Sequence, residues 1–257
     1  MPGVTKGSII MQNFRAIIRR RHFLGVAGTL SAASVFSKFA FAAAAAKPKV
    51  GIIGAGRMGG GLGTALAKAG YQVMFSSRKP EELKDLVAAA GPNAQAGTVE
   101  QAVAFGDIAL LVVPYSAMPA LAKQVGPVLA KKPLVFDVSN PSPQRDGAEG
   151  EKALQEGPAE YLAKLMPGIK VVRGFNSTGF ASIPSPNLPS GGRRGTAMVG
   201  EDAKAVEIAS TLVRDIGFEP VIIGPLNLGK YLYRPSTYFN GNQSPDEIRA
   251  IAKTIKP

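Results

Sequence analysis

Residues 49–79, KVGIIGAGRMGGGLGTALAKAGYQVMFSSRK, leave few folds open to this chain. Val50 to Ile53 is an apolar run of strand length, and Gly54-Ala55-Gly56-Arg57-Met58-Gly59 follows it at once. Leu62, Ala65, Leu66 and Ala69 recur at the spacing of one helix face, Gly70 stops that helix, and Gln72 to Phe75 resumes strand character. A G-x-G-x-x-G set between a strand and a helix is the turn with which a parallel β-α-β unit holds a dinucleotide pyrophosphate. Gly54 permits the tight turn, Gly56 lets the phosphates approach the backbone, and Gly59 lets helix and strand pack closely. The free N–H groups at the helix start then face the negative charge.

The tip of the second strand selects the nucleotide. A site for NAD usually carries Asp or Glu about 20 residues past the first glycine, to bind the ribose 2′-hydroxyl. Here the tip is Ser76-Ser77-Arg78-Lys79, with no acid. Two hydroxyls and two cations suit a 2′-phosphate, which Arg binds through charge-assisted hydrogen bonds. The expected cofactor is therefore NADP.

From Lys49 onward, strands and helices alternate. Helices are expected at Pro80 to Ala90, from the capping-box sequence Thr98-Val99-Glu100-Gln101, at Met118 to Leu129 and at Ala159 to Met166. Strands are expected at Ala94 to Gly97, Ile108 to Val113, Leu134 to Val138, Lys170 to Arg173, Thr196 to Val199 and Glu219 to Ile223. This pattern specifies an α/β fold with a doubly wound, mostly parallel sheet of the Rossmann type, in one domain with a short C-terminal helical extension. Ligands of such sheets lie beyond the carboxyl ends of the strands. That rule puts the glycine turn, Val113-Pro114-Tyr115 and Ser139-Asn140-Pro141 on one rim.

Pro141 to Pro158 reads as an exposed loop with one helical turn at Lys152 to Leu154, and Ser182 to Gly195 as a mobile flap or solvated linker. Ser244-Pro245-Asp246-Glu247 starts a short amphipathic helix, which docks on the surface or in a homodimer.

The first 46 residues carry six cations and no acid. Arg19-Arg20-Arg21-His22-Phe23-Leu24-Gly25 precedes an apolar Ala- and Gly-rich run that closes in Ala42 to Ala46. The segment resembles a twin-arginine export signal, which implies the twin-arginine machinery as a partner and a periplasmic location. An uncleaved membrane anchor is the alternative. Residues 1–46 are thus expected as signal, 47–232 as the nucleotide-binding domain and 233–257 as the extension. Without the signal, 24 cations face 18 acids, so the net charge of +12 is no evidence for nucleic-acid binding. There is no Cys, and the single His lies in the signal, which excludes thiolate chemistry, imidazole acid–base catalysis and His-rich metal sites.

Seven blocks occur in the order found in one family: G-A-G-R-M-G at 54–59, S-S-R at 76–78, V-V-P-Y at 112–115, D-V-S-N-P at 137–141, A-E-Y-L-A-K-L-M-P-G-I-K-V-V-R-G-F-N at 159–176, V-G-E-D at 199–202 and G-F-E-P-V-I-I-G-P-L at 217–226. Residues 48–232 resemble the deazaflavin (coenzyme F-420)-dependent NADP oxidoreductases and their relatives, including the NADP-binding domain of membrane metalloreductases. The resemblance implies hydride exchange between NADPH and a flavin- or deazaflavin-like co-substrate, a step that needs proximity and facial alignment more than an acid–base side chain. By position, Gly54 to Gly59 would hold pyrophosphate and ribose, and Ser76 to Lys79 the 2′-phosphate. Pro114, Tyr115, Ser139, Asn140 and Pro141 would flank the nicotinamide. Tyr115, Asn140 and Asn176 are the candidates to meet the reacting ring. The related β-hydroxyacid and imine reductases carry a large helical C-terminal domain, whereas little chain follows Gly224 here. A reading of another class is a non-catalytic NADP-binding or sensor protein that docks on a membrane or electron-transfer partner.

Overall fold

The computed structural model describes residues 46–233 and 238–256, so the expected export signal lies outside the described residues. Strand β1 (Val50–Ile53) leads through the glycine turn into α1 (Arg57–Lys68). There follow β2 (Val73–Ser76), α2 (Lys84–Ala90), β3 (Ala94–Gly97), α3 (Val99–Phe105) and β4 (Ile108–Leu111). Next come α4 (Met118–Leu129), β5 (Val135–Asp137) and three short helices, α5 (Pro143–Asp146), α6 (Ala148–Glu156) and α7 (Pro158–Leu165). The described chain closes with β6 (Val171–Arg173), β7 (Gly195–Gly200), α8 (Ala203–Asp215), β8 (Glu219–Gly224) and α9 (Pro245–Ala252).

The strands form one sheet in the order β3-β2-β1-β4-β5-β6-β7-β8, parallel throughout except at β6–β7. Both faces are covered, as a parallel sheet requires. Leu62 and Leu66 of α1 share one core with Ala209, Leu212 and Val213 of α8, against Ile52, Phe75 and Leu110. On the opposite face, Val103, Leu121, Val125 and Leu162 pack against Ile53, Leu111 and Val135. The expected doubly wound sheet is present. The order reverses at β1 and β4, where chain direction opens a crevice beyond the strand ends.

Two expectations change. Pro141 to Pro158 is helical rather than an exposed loop. Pro143 and Pro158 open helices, and Gly147 (φ 56°) and Gly157 (φ 89°) divide them. The breakers read from sequence as loop residues are punctuation between short helices. Ser182 to Gly195 is not a free flap. Ile183 is buried against the face of α1 at Gly61, Asn187 bridges Arg193, and Arg194 donates to Ser185 O (3.1 Å). The closing segment also joins the sheet: Phe239, Ile248 and Ile255 share a core with Val199 and Val221. The N-cap expected at Ser244 is formed, and Glu247 completes it as a capping box.

Candidate functional site

The three glycines of the turn are needed for three different reasons. Gly54 has φ +103°, and a Cβ there would lie 2.4 Å from Val112 O. A Cβ on Gly59 would lie 1.9 Å from Gly54 O, so helix and strand touch backbone to backbone. At Gly56 a Cβ would meet nothing within 4 Å. This glycine therefore faces open space, as a backbone meant to be approached by a ligand must. It is also the N-cap of α1, whose first turn has neither a side-chain cap nor an acid. The helix's leading amides are free for an anion.

Two cavities meet at this turn. One, of about 600 Å³, runs from Gly54–Gly56 to Ser76, Ser77 and Arg78, with Leu83, Pro114 and Leu121 among its walls. The other, of about 250 Å³, lies between Arg57–Gly59 and Val138, Ser139, Asn140 and Arg145. They share Gly56, Val113 and Pro114. Together they form a cleft over the carboxyl ends of β1, β4 and β5, long enough to have two distinct ends. A wider groove of about 890 Å³ follows the outward face of α1 under Ile183 and Pro186. It contains the back of the turn but none of the residues from β4 and β5.

At the first end the basic tip divides its tasks. Ser76 is buried and its Oγ accepts from Gly54 N (3.2 Å), so it braces the turn. Ser77 Oγ accepts from Lys79 N (3.0 Å). Lys79 turns away to pair with Glu82 (2.8 Å) and does not line the cavity. Arg78 is exposed and makes no hydrogen bond or ion pair among the described residues, which leaves its guanidinium for a ligand.

At the second end the side chains named from sequence divide again. Met58, Val113, Pro114, Ser139 and Asn140 line the cavity. Pro141 is buried and does not. Tyr115 is a correction: it is fully buried, donating to Pro158 O (3.1 Å) and accepting from Arg173 Nη1 (2.8 Å). Burial raises its phenol far above the ordinary range. Its neighbours Pro114 and Ser116 reach the cleft instead. Asn176 is also buried, donating to Ser139 O (3.1 Å), and its backbone oxygen accepts from Asn140 Nδ2 (2.6 Å). It supports Asn140 from behind and lines neither cavity.

Behind this end lies a charge pair that motif reading did not single out. Asp137 and Arg173 close β5 and β6 as register partners, are fully buried, and form an ion pair. Burial pushes the Asp137 carboxyl up, against the pull of Arg173 and the Ser139 amide. For Arg173, burial opposes the charge but Tyr115 and Asp137 outweigh it, and the guanidinium stays protonated. A sequence signal did exist: each of two neighbouring apolar strands ends in a charge, and the charges are opposite. Arg145 was likewise missed. It lines the second cavity, donates to Asn140 O (2.5 Å) and pairs with Asp146 (2.7 Å). Burial would raise the Asp146 carboxyl, but Arg145 and the Ser142 and Ser116 amides hold it below the usual carboxylate range.

The fold and cleft define a Rossmann-type dinucleotide-binding domain. Comparison with known proteins narrows the class. Residues 49–141 match the family model described as "NADP oxidoreductase coenzyme F420-dependent". Metalloreductase STEAP3 of Rattus norvegicus is 34% identical over 183 residues, covering 70% of this chain. The chain spans only 34% of that protein's length. A hypothetical protein from Sinorhizobium meliloti superposes with TM-score 0.62 at 24% identity, covering 76% of this chain and 94% of its own. A protein from Arthrobacter sp. FB24 assigned as an F420-dependent NADP reductase gives 0.60 at 20% identity, covering 71% and 87%. The family match and the rat relative show that the chain is similar to NADP oxidoreductases and to a metalloreductase; the two solved structures show the shared fold.

Proposed function

We propose that this protein is an NADP(H)-dependent oxidoreductase that passes a hydride between NADPH and a flavin- or deazaflavin-like acceptor. The observation that carries the reading is the two-ended cleft hinged on the glycine turn, with an unpaired Arg78 at one end and no acid at the β2 tip. The residues fit the cofactor: Gly56 leaves the approach open, the α1 amides of Arg57, Met58 and Gly59 would hold the pyrophosphate, and Arg78 with Ser77 would hold the 2′-phosphate. Bound NADPH supplies the hydride. The chain supplies Pro114 and Asn140 as walls and Arg57 and Arg145 as cations at the mouth of the second cavity.

No His or Cys occurs in the domain, which suits a transfer governed by alignment of two rings rather than by proton relay. The twin-arginine segment Arg20-Arg21 supports export to the periplasm after folding around the cofactor, with membrane anchoring by an uncleaved signal as the alternative. A homodimer is part of the same reading, though the buried face of α9 at Ile248 is already packed on β7 and β8. No helix among the described residues is long and apolar enough to cross a membrane. The test is NADPH oxidation at 340 nm with flavins, deazaflavin and ferric chelates offered in turn. Turnover with a ring acceptor is expected. Tight NADP binding without turnover on any of them would instead favour a binding module that docks on an electron-transfer partner. The small share of the rat metalloreductase that this chain spans leaves room for that second reading.

A further inference from the structure

A buried ion pair seldom adds net stability, because two charges must be taken out of water. The Asp137–Arg173 pair is fully buried, yet neither partner touches the cleft. Their remaining hydrogen bonds show what the pair does. Asp137 Oδ1 accepts from Ser139 N (2.9 Å), and Arg173 Nη2 donates to Ser139 O (3.1 Å). Asn176 Nδ2 donates to the same oxygen (3.1 Å). Ser139 Oγ accepts from Val113 N (3.2 Å) and donates to Leu111 O (3.2 Å). Every polar group of Ser139 is thus held by the ends of β4, β5 and β6.

The next residue, Asn140, is one wall of the second cavity, and it is tied to Asn176 O. Phe175 adopts φ 60°, a left-handed backbone that a bulky side chain avoids, and this turn presents Asn176 to Ser139. Among the described residues no comparable side-chain network stands behind the Arg78 end, where Ser76 Oγ braces the turn.

We propose that the Asp137–Arg173 pair is a positioning device for the nicotinamide half of the cofactor: by fixing Ser139 it sets how far Asn140 stands from the glycine turn. This rests on the reading that a dinucleotide fills the cleft. The pair does not act on the adenosine half, which is held by Arg78 and the α1 amides.

The test uses the full chain and two ligands, NADPH and 2′-phospho-ADP-ribose, which lacks the nicotinamide. Calorimetric titration compares the wild type, Arg173→Lys and the double variant D137N/R173M, which leaves no lone buried charge. In the double variant NADPH affinity is expected to fall roughly tenfold, with 2′-phospho-ADP-ribose changed by less than about twofold. Arg173→Lys keeps the charge but cannot reach Ser139 O and Asp137 together, so it should show the same selective loss at smaller size. Equal loss of both ligands, or of neither, in whichever of these variants folds would overturn the proposal, because a merely structural pair cannot tell the ligands apart. A wild type that binds neither ligand would overturn the dinucleotide reading itself.

Discussion

The two ends of the cleft are built on opposite plans. The end at Arg78, which the proposed reading gives to the adenosine half, is made of backbone: free amides at the start of α1, an open Gly56, and one guanidinium at the β2 tip without a partner among the described residues. The other end, given by the same reading to the nicotinamide half, rests on buried side chains, with Asp137, Arg173 and Asn176 bonded to Ser139 behind the half-buried Asn140. A phosphate needs only donors and charge, and these are cheap to offer at a helix start. A ring that must lie at a fixed height over a second ring needs walls that do not give, and walls of that kind come from preorganised networks. In the proposed reading, the difference means that affinity for the nucleotide and geometry for the transfer would be carried by separate parts of the chain.

Substitutions can break or sharpen this contrast. Arg173→Met leaves Asp137 as an uncompensated buried charge, and should cost about 3–5 kcal/mol of stability. Urea unfolding reads this directly, and adding Asp137→Asn should recover most of the loss. A loss confined to less than about 1 kcal/mol would mean that the interior is wetter than the structure describes. Gly59→Ala attacks the hinge shared by both ends. Its Cβ would meet Gly54 O, a backbone atom that cannot swing aside, so destabilisation of about 1–3 kcal/mol is expected, together with loss of NADPH binding in fluorescence titration.

The smaller effects separate the residues of the basic tip. Ser76→Ala removes the acceptor for Gly54 N and should cost about 1 kcal/mol in thermal or urea unfolding, without altering the choice between NADPH and NADH. Lys79→Ala should matter least. Its ammonium is exposed and paired with Glu82, so NADPH affinity should change by less than about threefold, with stability within about 0.5 kcal/mol. A large drop for Lys79→Ala would move the phosphate contact one residue along the tip.

The adenosine end was legible in the sequence because its information is local. A strand, a glycine turn and a basic tip all fall within residues 49–79, and the surroundings of Gly54, Gly56 and Gly59 suit the places that the motif gives them. The nicotinamide end was legible only as a rim. Pro114, Ser139 and Asn140 could be placed by the rule that ligands lie at strand ends. Which way each side chain points depends on strand pairing, and Tyr115, read as meeting the ring, points into the core because Arg173 awaits it there. Arg173 lies 34 to 58 residues from its partners Ser139, Asp137 and Tyr115. No periodicity or cap reports such a pairing. Of the helices of 143–156 only the turn at Lys152 to Leu154 was legible, for a different reason: they are only 4 and 9 residues long and are bounded by Pro and Gly, which sequence patterns assign to loops.

The central claim is that Arg78, left unpaired at the end of β2, makes this an NADP site. It is tested most directly by titrating the full chain and its Arg78→Ala variant with NADPH and with NADH. Charge-assisted hydrogen bonds to a phosphate are worth about 1.5–3 kcal/mol. The wild type should therefore prefer NADPH, and Arg78→Ala should lose roughly ten- to a hundred-fold in NADPH affinity while NADH affinity stays where it was. Equal affinities of the wild type for the two nucleotides, or an unchanged preference in the variant, would contradict the account.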